Sequence, residues 1–92
     1  MIQSFRDRDT EKIFHGEHSR RFQQIETIAL RKLLYLHRSR SLQDLAAIPG
    51  HRLEALSGDR KGEHSIRINK QYRICFRWQG TDAHDVEITD YH

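Results

Sequence analysis

A single cysteine, Cys75, cannot close a disulfide within the chain, so packing alone must hold the fold. That usage fits a reducing, cytoplasmic setting. One proline and five glycines among 92 residues leave few obligatory breaks and argue against a disordered, low-complexity chain. No apolar run is long enough to span a bilayer, and the opening residues lack the apolar stretch of a secretion signal; no membrane association is expected. There is no Gly-rich loop ending in Lys-Ser/Thr, which argues against a nucleoside triphosphate site. Seven histidines are present, but without cysteine pairs or the helical His spacing of familiar zinc sites. No metal or other cofactor is therefore expected.

What the chain does contain is periodic. Ile2–Phe5 reads as a short strand, and Asp7 or Asp9 can cap a helix running to about Phe14, ended by His15-Gly16. A longer helix is predicted from near Ser19 to Arg38, because Phe22, Ile25, Ala29, Leu33 and Leu36 recur at threes and fours. Ser41 opens a short turn over Leu42–Ala47, and Pro49-Gly50 breaks the chain. The period then changes to two. Strands are predicted at Arg52–Leu56, Glu63–Asn69, Tyr72–Trp78 and through Val86 and Ile88, with a polar turn at Ser57–Gly62. Helices followed by antiparallel strands make an α+β fold: N-terminal helices packed on a small sheet, as one domain over residues 1–92. The face opposite the helices is expected to be open and to carry Arg67, Arg73, Arg77 and Tyr91.

The net charge is +3, and it is unevenly spread. Residues 1–50 hold nine Lys/Arg against six Asp/Glu, whereas residues 51–92 hold seven of each. Arg20, Arg21, Arg31 and Lys32 place the excess along the helical segment, as candidates for positioning a nucleic-acid backbone. Arg73 admits two readings, a solvated charge on an exposed strand or a bidentate clamp for phosphate. Arg67 and Arg77 would extend such a clamp into a groove, and Lys61 adds a charge on the adjoining turn. The segment Asp90-Tyr91-His92 ends an alternating strand with an acid, a phenol and an imidazole. Asp90 and His92 share one face, and an imidazole titrating near pH 6.5 exchanges protons at neutrality.

Taken together, Met1-Ile2-Gln3-Ser4-Phe5, the Gly58-Asp59-Arg60 turn with Gly62, Ser65-Ile66, Tyr72-Arg73-Ile74-Cys75-Phe76 and Asp90-Tyr91-His92 resemble HigB-type toxins of the RelE/ParE superfamily. The resemblance spans the whole chain. It implies a ribosome-dependent endoribonuclease that cuts mRNA without metal and inhibits translation. It also implies neutralisation by a helix-turn-helix antitoxin, through which operator DNA would be bound. By the same resemblance Arg73 stabilises the scissile phosphate, Asp90 and His92 orient groups and transfer protons, and Tyr91 contacts the RNA. Glu54, Arg60 and Arg67 are accessory candidates. One departure stands out: many relatives carry His-Pro-Leu-Lys before the Gly-Asp-Arg turn, where this chain has Glu54-Ala55-Leu56-Ser57. Loss of that imidazole and ammonium implies a slower or milder nuclease, unless His51 substitutes in space. The alternatives are a ParE-like gyrase inhibitor that binds without cutting, and a regulatory module acting with a DNA-binding antitoxin.

Overall fold

In the computed structural model, residues 1–90 are described; Tyr91 and His92, two of the expected catalytic residues, lie outside them. Helix α1 (Arg8–Phe14) begins where Asp7 accepts from the Thr10 N–H, and it ends on His15 with Gly16 at φ 79°. There Gly16 N bonds Ile13 O at 3.0 Å and Glu17 N bonds Lys12 O at 2.8 Å. This pairing satisfies the last carbonyls of the helix and requires a residue that tolerates positive φ.

The second helix is shorter than its periodicity predicts. A 3₁₀ turn (Gln23–Ile25) precedes α2 (Glu26–Arg38), and the segment from Ser19 to Phe22 is not α-helical. Ser19 is instead tied to Asp9 by a 3.0 Å hydrogen bond, and the Phe22 ring meets Tyr72 edge-on at 5.7 Å. Both Phe22 and Ile25 enter the core, so the apolar spacing is satisfied without one continuous helix. Ser39 closes α2, its hydroxyl and its N–H both donating to the Tyr35 carbonyl. The short α3 (Leu42–Ala46) starts on Ser41, which accepts from the Asp44 N–H as expected of a cap.

Four strands form an antiparallel meander in the order β1 (Glu54–Ala55), β2 (Glu63–Arg67), β3 (Tyr72–Gln79) and β4 (Asp82–Asp90). Ile2–Phe5 is not a full strand. It lies parallel along the outer edge of β4 through isolated bridges to Ala83 and Val86. Thr10 extends that cover by accepting from the Ile88 N–H at 2.9 Å. These contacts satisfy an edge that would otherwise invite pairing with another chain. At the other side β1 has only two residues, not the predicted five, because Arg52 turns left-handed at φ 45°.

Register divides the sheet cleanly. His64 opposite Phe76, Ile66 opposite Ile74, and Ile74 opposite Ile88 face the helices. There they pack with Ile13, Ala29, Leu33, Leu36 and Leu45, all buried. Each such side chain contributes about 1.5–3 kcal/mol relative to exposure. An irregularity in the β3–β4 pairing between Cys75 and Arg77 coincides with Asp85 at φ 53°. It shifts the side-chain alternation, so that Ala83, Val86 and Ile88 all reach the core.

The opposite face is not open. Glu63, Ser65, Arg73 and Cys75 are all buried. The 3₁₀ turn Gly58–Arg60 lends Arg60 to this face, where it bonds Glu63 at 3.1 Å and Glu87 at 2.6 Å. Arg6 joins the same two carboxylates at 3.6 and 3.1 Å.

Candidate active site and nucleic-acid interface

Arg73 lies near the start of β3, directly opposite Arg67 on β2 and Thr89 on β4. It is not a solvated strand charge: only 7% of the residue is exposed. Its side chain reaches diagonally across β2, where Nε donates to Ser65 Oγ at 2.7 Å. Nη2 donates to the Arg52 carbonyl at 2.8 Å and to the Ser65 carbonyl at 3.4 Å. These bonds hold the guanidinium in one orientation, as an electrostatic catalyst requires.

A recess of about 230 Å³ opens above it, lined by Arg52, Arg67, Asn69, Lys70 and Arg73. Arg67 is fixed there by a 3.0 Å bond from Nε to the Asn69 carbonyl. Asn69 in turn accepts from the backbone N–H groups of Gln71 and Tyr72, both at 2.8 Å, so the β2–β3 turn is built on its side chain. Of these residues, Arg52, Asn69 and Lys70 escaped sequence reasoning. Pro49-Gly50 and the gap between the strands predicted at Glu63–Asn69 and Tyr72–Trp78 marked breaks in the chain, but not that these breaks would meet.

A second recess of about 230 Å³ lies on the helix side of the same sheet end, lined by Arg20, Arg21, Phe22, Gln23, Gln24, Ile25 and Tyr72. Arg21 sits over the Phe22 ring at 4.8 Å. Consecutive residues, Tyr72 and Arg73, thus connect the two basic hollows from opposite faces. Asp90 pairs with Tyr72 and accepts from Gln71 Nε2 at 3.1 Å. It is therefore on the helix side of the sheet end, across from Arg73, as its strand parity predicts.

The remaining candidates are distributed differently. Arg77 is four residues along β3 from Arg73, about 13 Å away at strand rise, and pairs with Asp85 at 3.3 Å. The groove expected through Arg67, Arg73 and Arg77 therefore contains only the first two. Arg60 is engaged in the carboxylate cluster, and its hydrogen bond to Glu87 pushes the guanidinium pKa further up. Lys61 is exposed beside that turn, and Arg31 is exposed on α2. Burial, with Arg31 next to it, holds the Lys32 ammonium pKa below its ordinary value. Glu54 is exposed on β1, opposite Ser65 and on the same face as Arg73.

His51 does not replace the missing imidazole. It is fully buried, with Nδ1 3.1 Å from the Leu45 carbonyl and its ring edge-on to Tyr35 at 5.7 Å. A carbonyl only accepts, so Nδ1 carries the proton. Burial and nearby Lys32 lower its pKa, against the raising effect of the Leu45 bond. Cys75 is likewise shielded, its thiol pKa pushed up by burial although Thr89 donates to the sulfur at 3.3 Å. His37 accepts from the Ile2 N–H at 3.1 Å and fastens the opening segment.

Comparison with known proteins gives the family and the fold. Residues 3–92 match the family model described as the RelE-like toxin of the type II toxin–antitoxin system HigB. The chain belongs to that family. Toxin HigB-1 of Vibrio cholerae is 39% identical over 80 residues, covering 85% of this chain and 84% of the relative. Among solved structures, the YoeB dimer of Staphylococcus aureus superposes on this HigB-family chain with a TM-score of 0.62 at 21% identity, covering 99% and 94% of the two chains. A YafQ variant from E. coli gives 0.61 at 13% identity, covering 98% and 91%. At such identities these likenesses concern the fold, which is the same helices-on-sheet arrangement.

Proposed function

We propose that this HigB-family chain cuts mRNA on the ribosome, with Arg73 as the cation that stabilises the reacting phosphate. The observation carrying this reading is the recess in which Ser65 and the Arg52 carbonyl orient Arg73 beside Arg52, Arg67 and Lys70. RNA supplies its own nucleophile: the 2′-hydroxyl loses a proton, attacks phosphorus, and expels the 5′-oxygen, which gains one. The reaction therefore needs two proton transfers and a positive charge on the phosphorane, all available from side chains without a metal ion. His92 takes the main proton-transfer role, Asp90, held on the helix side of the sheet end by Gln71, an orienting one, and Tyr91 the RNA contact. Arg20 and Arg21, in the hollow beside Tyr72, suit a positioning contact with the backbone on the helix side. The ribosome positions the message, so few groups are required. With Glu54 and Ser57 in place of a histidine and a lysine, turnover is slow.

The S. aureus toxin YoeB is found in a heterotetramer with YefM, a toxin–antitoxin complex whose toxin fold this chain shares at a TM-score of 0.63. We extend that kind of partnership to this chain: a helix-turn-helix antitoxin neutralises it and carries it to operator DNA. Residues 1–92 act as one toxin unit.

Mapping cellular mRNA 5′ ends after induction tests the reading. New cuts within translated messages, lost in Arg73→Ala, are expected. Intact mRNA with relaxed or broken DNA would instead mean gyrase inhibition. Intact mRNA and DNA together would leave a regulatory module.

A further inference from the structure

Among the described residues, two outside glycine have left-handed backbone, Arg52 at φ 45° and Asp85 at φ 53°. Asp85 is a residue type that tolerates this region, and it occupies a sheet irregularity. Arg52 has neither excuse. A strained backbone at an arginine persists only where its surroundings over-determine it. Here they do. On its N-terminal side the His51 ring is tied to the Leu45 carbonyl at 3.1 Å, and the His51 carbonyl accepts from Arg67 N at 2.6 Å. On its C-terminal side Leu53 packs against the core, and Leu56 N bonds the Glu63 carbonyl at 2.9 Å. The twist between these anchors turns the Arg52 carbonyl onto Arg73 Nη2 and places Arg52 on the lining of the recess.

We infer that Arg52 builds the recess through both its backbone and its side chain, and that the recess is a subsite for a backbone phosphate adjoining the scissile one. The carbonyl is a positioning group for Arg73. The guanidinium, with Lys70 and Arg67, binds the neighbouring phosphate. Beside Arg73, the three cations Arg52, Arg67 and Lys70 line one small recess and repel one another; one phosphodiester cannot neutralise them, whereas consecutive phosphates of a single strand can. Three of the four are arginines, whose forked donors suit phosphate oxygens. The inference rests on the RNA-cutting reading and deepens it.

The two roles of Arg52 separate by substitution. Arg52→Gly and Arg52→Asn keep a residue at ease in the left-handed region and remove the cation. Arg52→Lys keeps the charge, and Arg52→Val keeps neither the backbone nor the charge. The probe is a 2′-O-methylated uridine hexanucleotide, which cannot be cut, titrated while the Nε–H resonances of Arg67 and Arg73 are followed by NMR. Arg52→Gly and Arg52→Asn should weaken binding about tenfold, and Arg52→Lys by about twofold, the scale of one charge-assisted contact. In the unliganded Gly and Asn variants the Arg73 resonance should stay in place; in Arg52→Val it should move. On programmed ribosomes Arg52→Gly should raise KM with kcat held within about twofold, whereas Arg52→Val lowers kcat.

Unchanged hexanucleotide binding in Arg52→Gly overturns the phosphate subsite, as does tighter binding of a hexaglutamate peptide than of the RNA. An Arg73 resonance that moves in both Gly and Asn variants overturns the positioning role, even if Arg52→Val does not fold. If the wild type binds the hexanucleotide in the recess but cuts no ribosomal mRNA, the nuclease reading falls and with it the place beside a scissile phosphate, while the Arg52 phosphate contact stands.

Discussion

At one end of the sheet's polar face, Arg6 and Arg60 close on Glu63 and Glu87, and Arg77 closes on Asp85. At the other, Arg52, Arg67, Lys70 and Arg73 line a recess in which, among the described residues, no carboxylate takes part. Both ends are rich in arginine, yet their chemistry differs. Where guanidinium meets carboxylate at salt-bridge distance, the charge is consumed in holding a turn to a sheet. Where guanidinium is held by a hydroxyl and carbonyls, those contacts set its orientation without themselves cancelling its charge. The first arrangement serves stability; the second is the one we propose for an anionic ligand.

The largest expected effect is at the recess. Arg73→Ala should slow single-turnover cleavage of ribosome-bound mRNA about 100- to 1,000-fold, the usual loss on removing one oriented transition-state donor. Arg73→Lys should restore little, since one ammonium cannot meet Ser65 Oγ and the Arg52 carbonyl with the same fork. Cleavage at the wild-type rate in Arg73→Ala would erase the functional half of the comparison.

At the paired end the loss should appear in stability. Arg60→Met leaves buried Glu63 and half-buried Glu87 with Arg6 as their one cation among the described residues, at a cost of about 1–3 kcal/mol, reduced by the partial exposure of Arg60. Urea denaturation reads this directly. A variant as stable as the wild type but weaker in RNA binding would move Arg60 into the interface.

Behind the recess end, His51 makes stability depend on pH. Its pKa in the folded chain is lower than in the unfolded chain, so between those values the unfolded state holds more protons and stability rises with pH. The contribution is complete above about 6.5, the unfolded value, and is lost as pH falls below it toward the folded value. The urea midpoint should therefore drop between pH 7.5 and 5, and His51→Phe should flatten that part of the profile. An equally steep drop in His51→Phe would assign the acid sensitivity elsewhere.

The smallest effect belongs to Arg77. Its pair with Asp85 is exposed, so Arg77→Ala should change stability by about 0.5 kcal/mol or less. RNA binding should keep its salt dependence in that variant, whereas each lost recess contact should reduce the slope by about 0.7. A reduced slope in Arg77→Ala would extend the interface along β3.

Particular residues show what could be read in advance. Asp7, Ser41 and the His15-Gly16 stop mark helix ends because caps are local chemistry, contained within a few residues. Ile66, Ile74, Phe76, Val86 and Ile88 declare the core face by alternation. Arg60 and Arg73 could not be told apart in this way. Both are arginines near a strand, and their roles depend on what lies opposite them: Glu87, 27 positions from Arg60, and the Arg52 carbonyl, 21 positions from Arg73. Arg52 itself carries no sequence mark of its left-handed turn.

The sequence by itself determined the helices-then-sheet order, the caps and the apolar face of each element, since these follow from short-range geometry and periodicity. It also carried the HigB resemblance, now shown at the level of the family. Only the tertiary structure decided which arginines are neutralised and which gather into a recess. It also decided that the polar face is covered and that His51 is enclosed. Those outcomes depend on distances between residues far apart in the chain, and charge pairing, burial and solvent access exist only once the chain is folded.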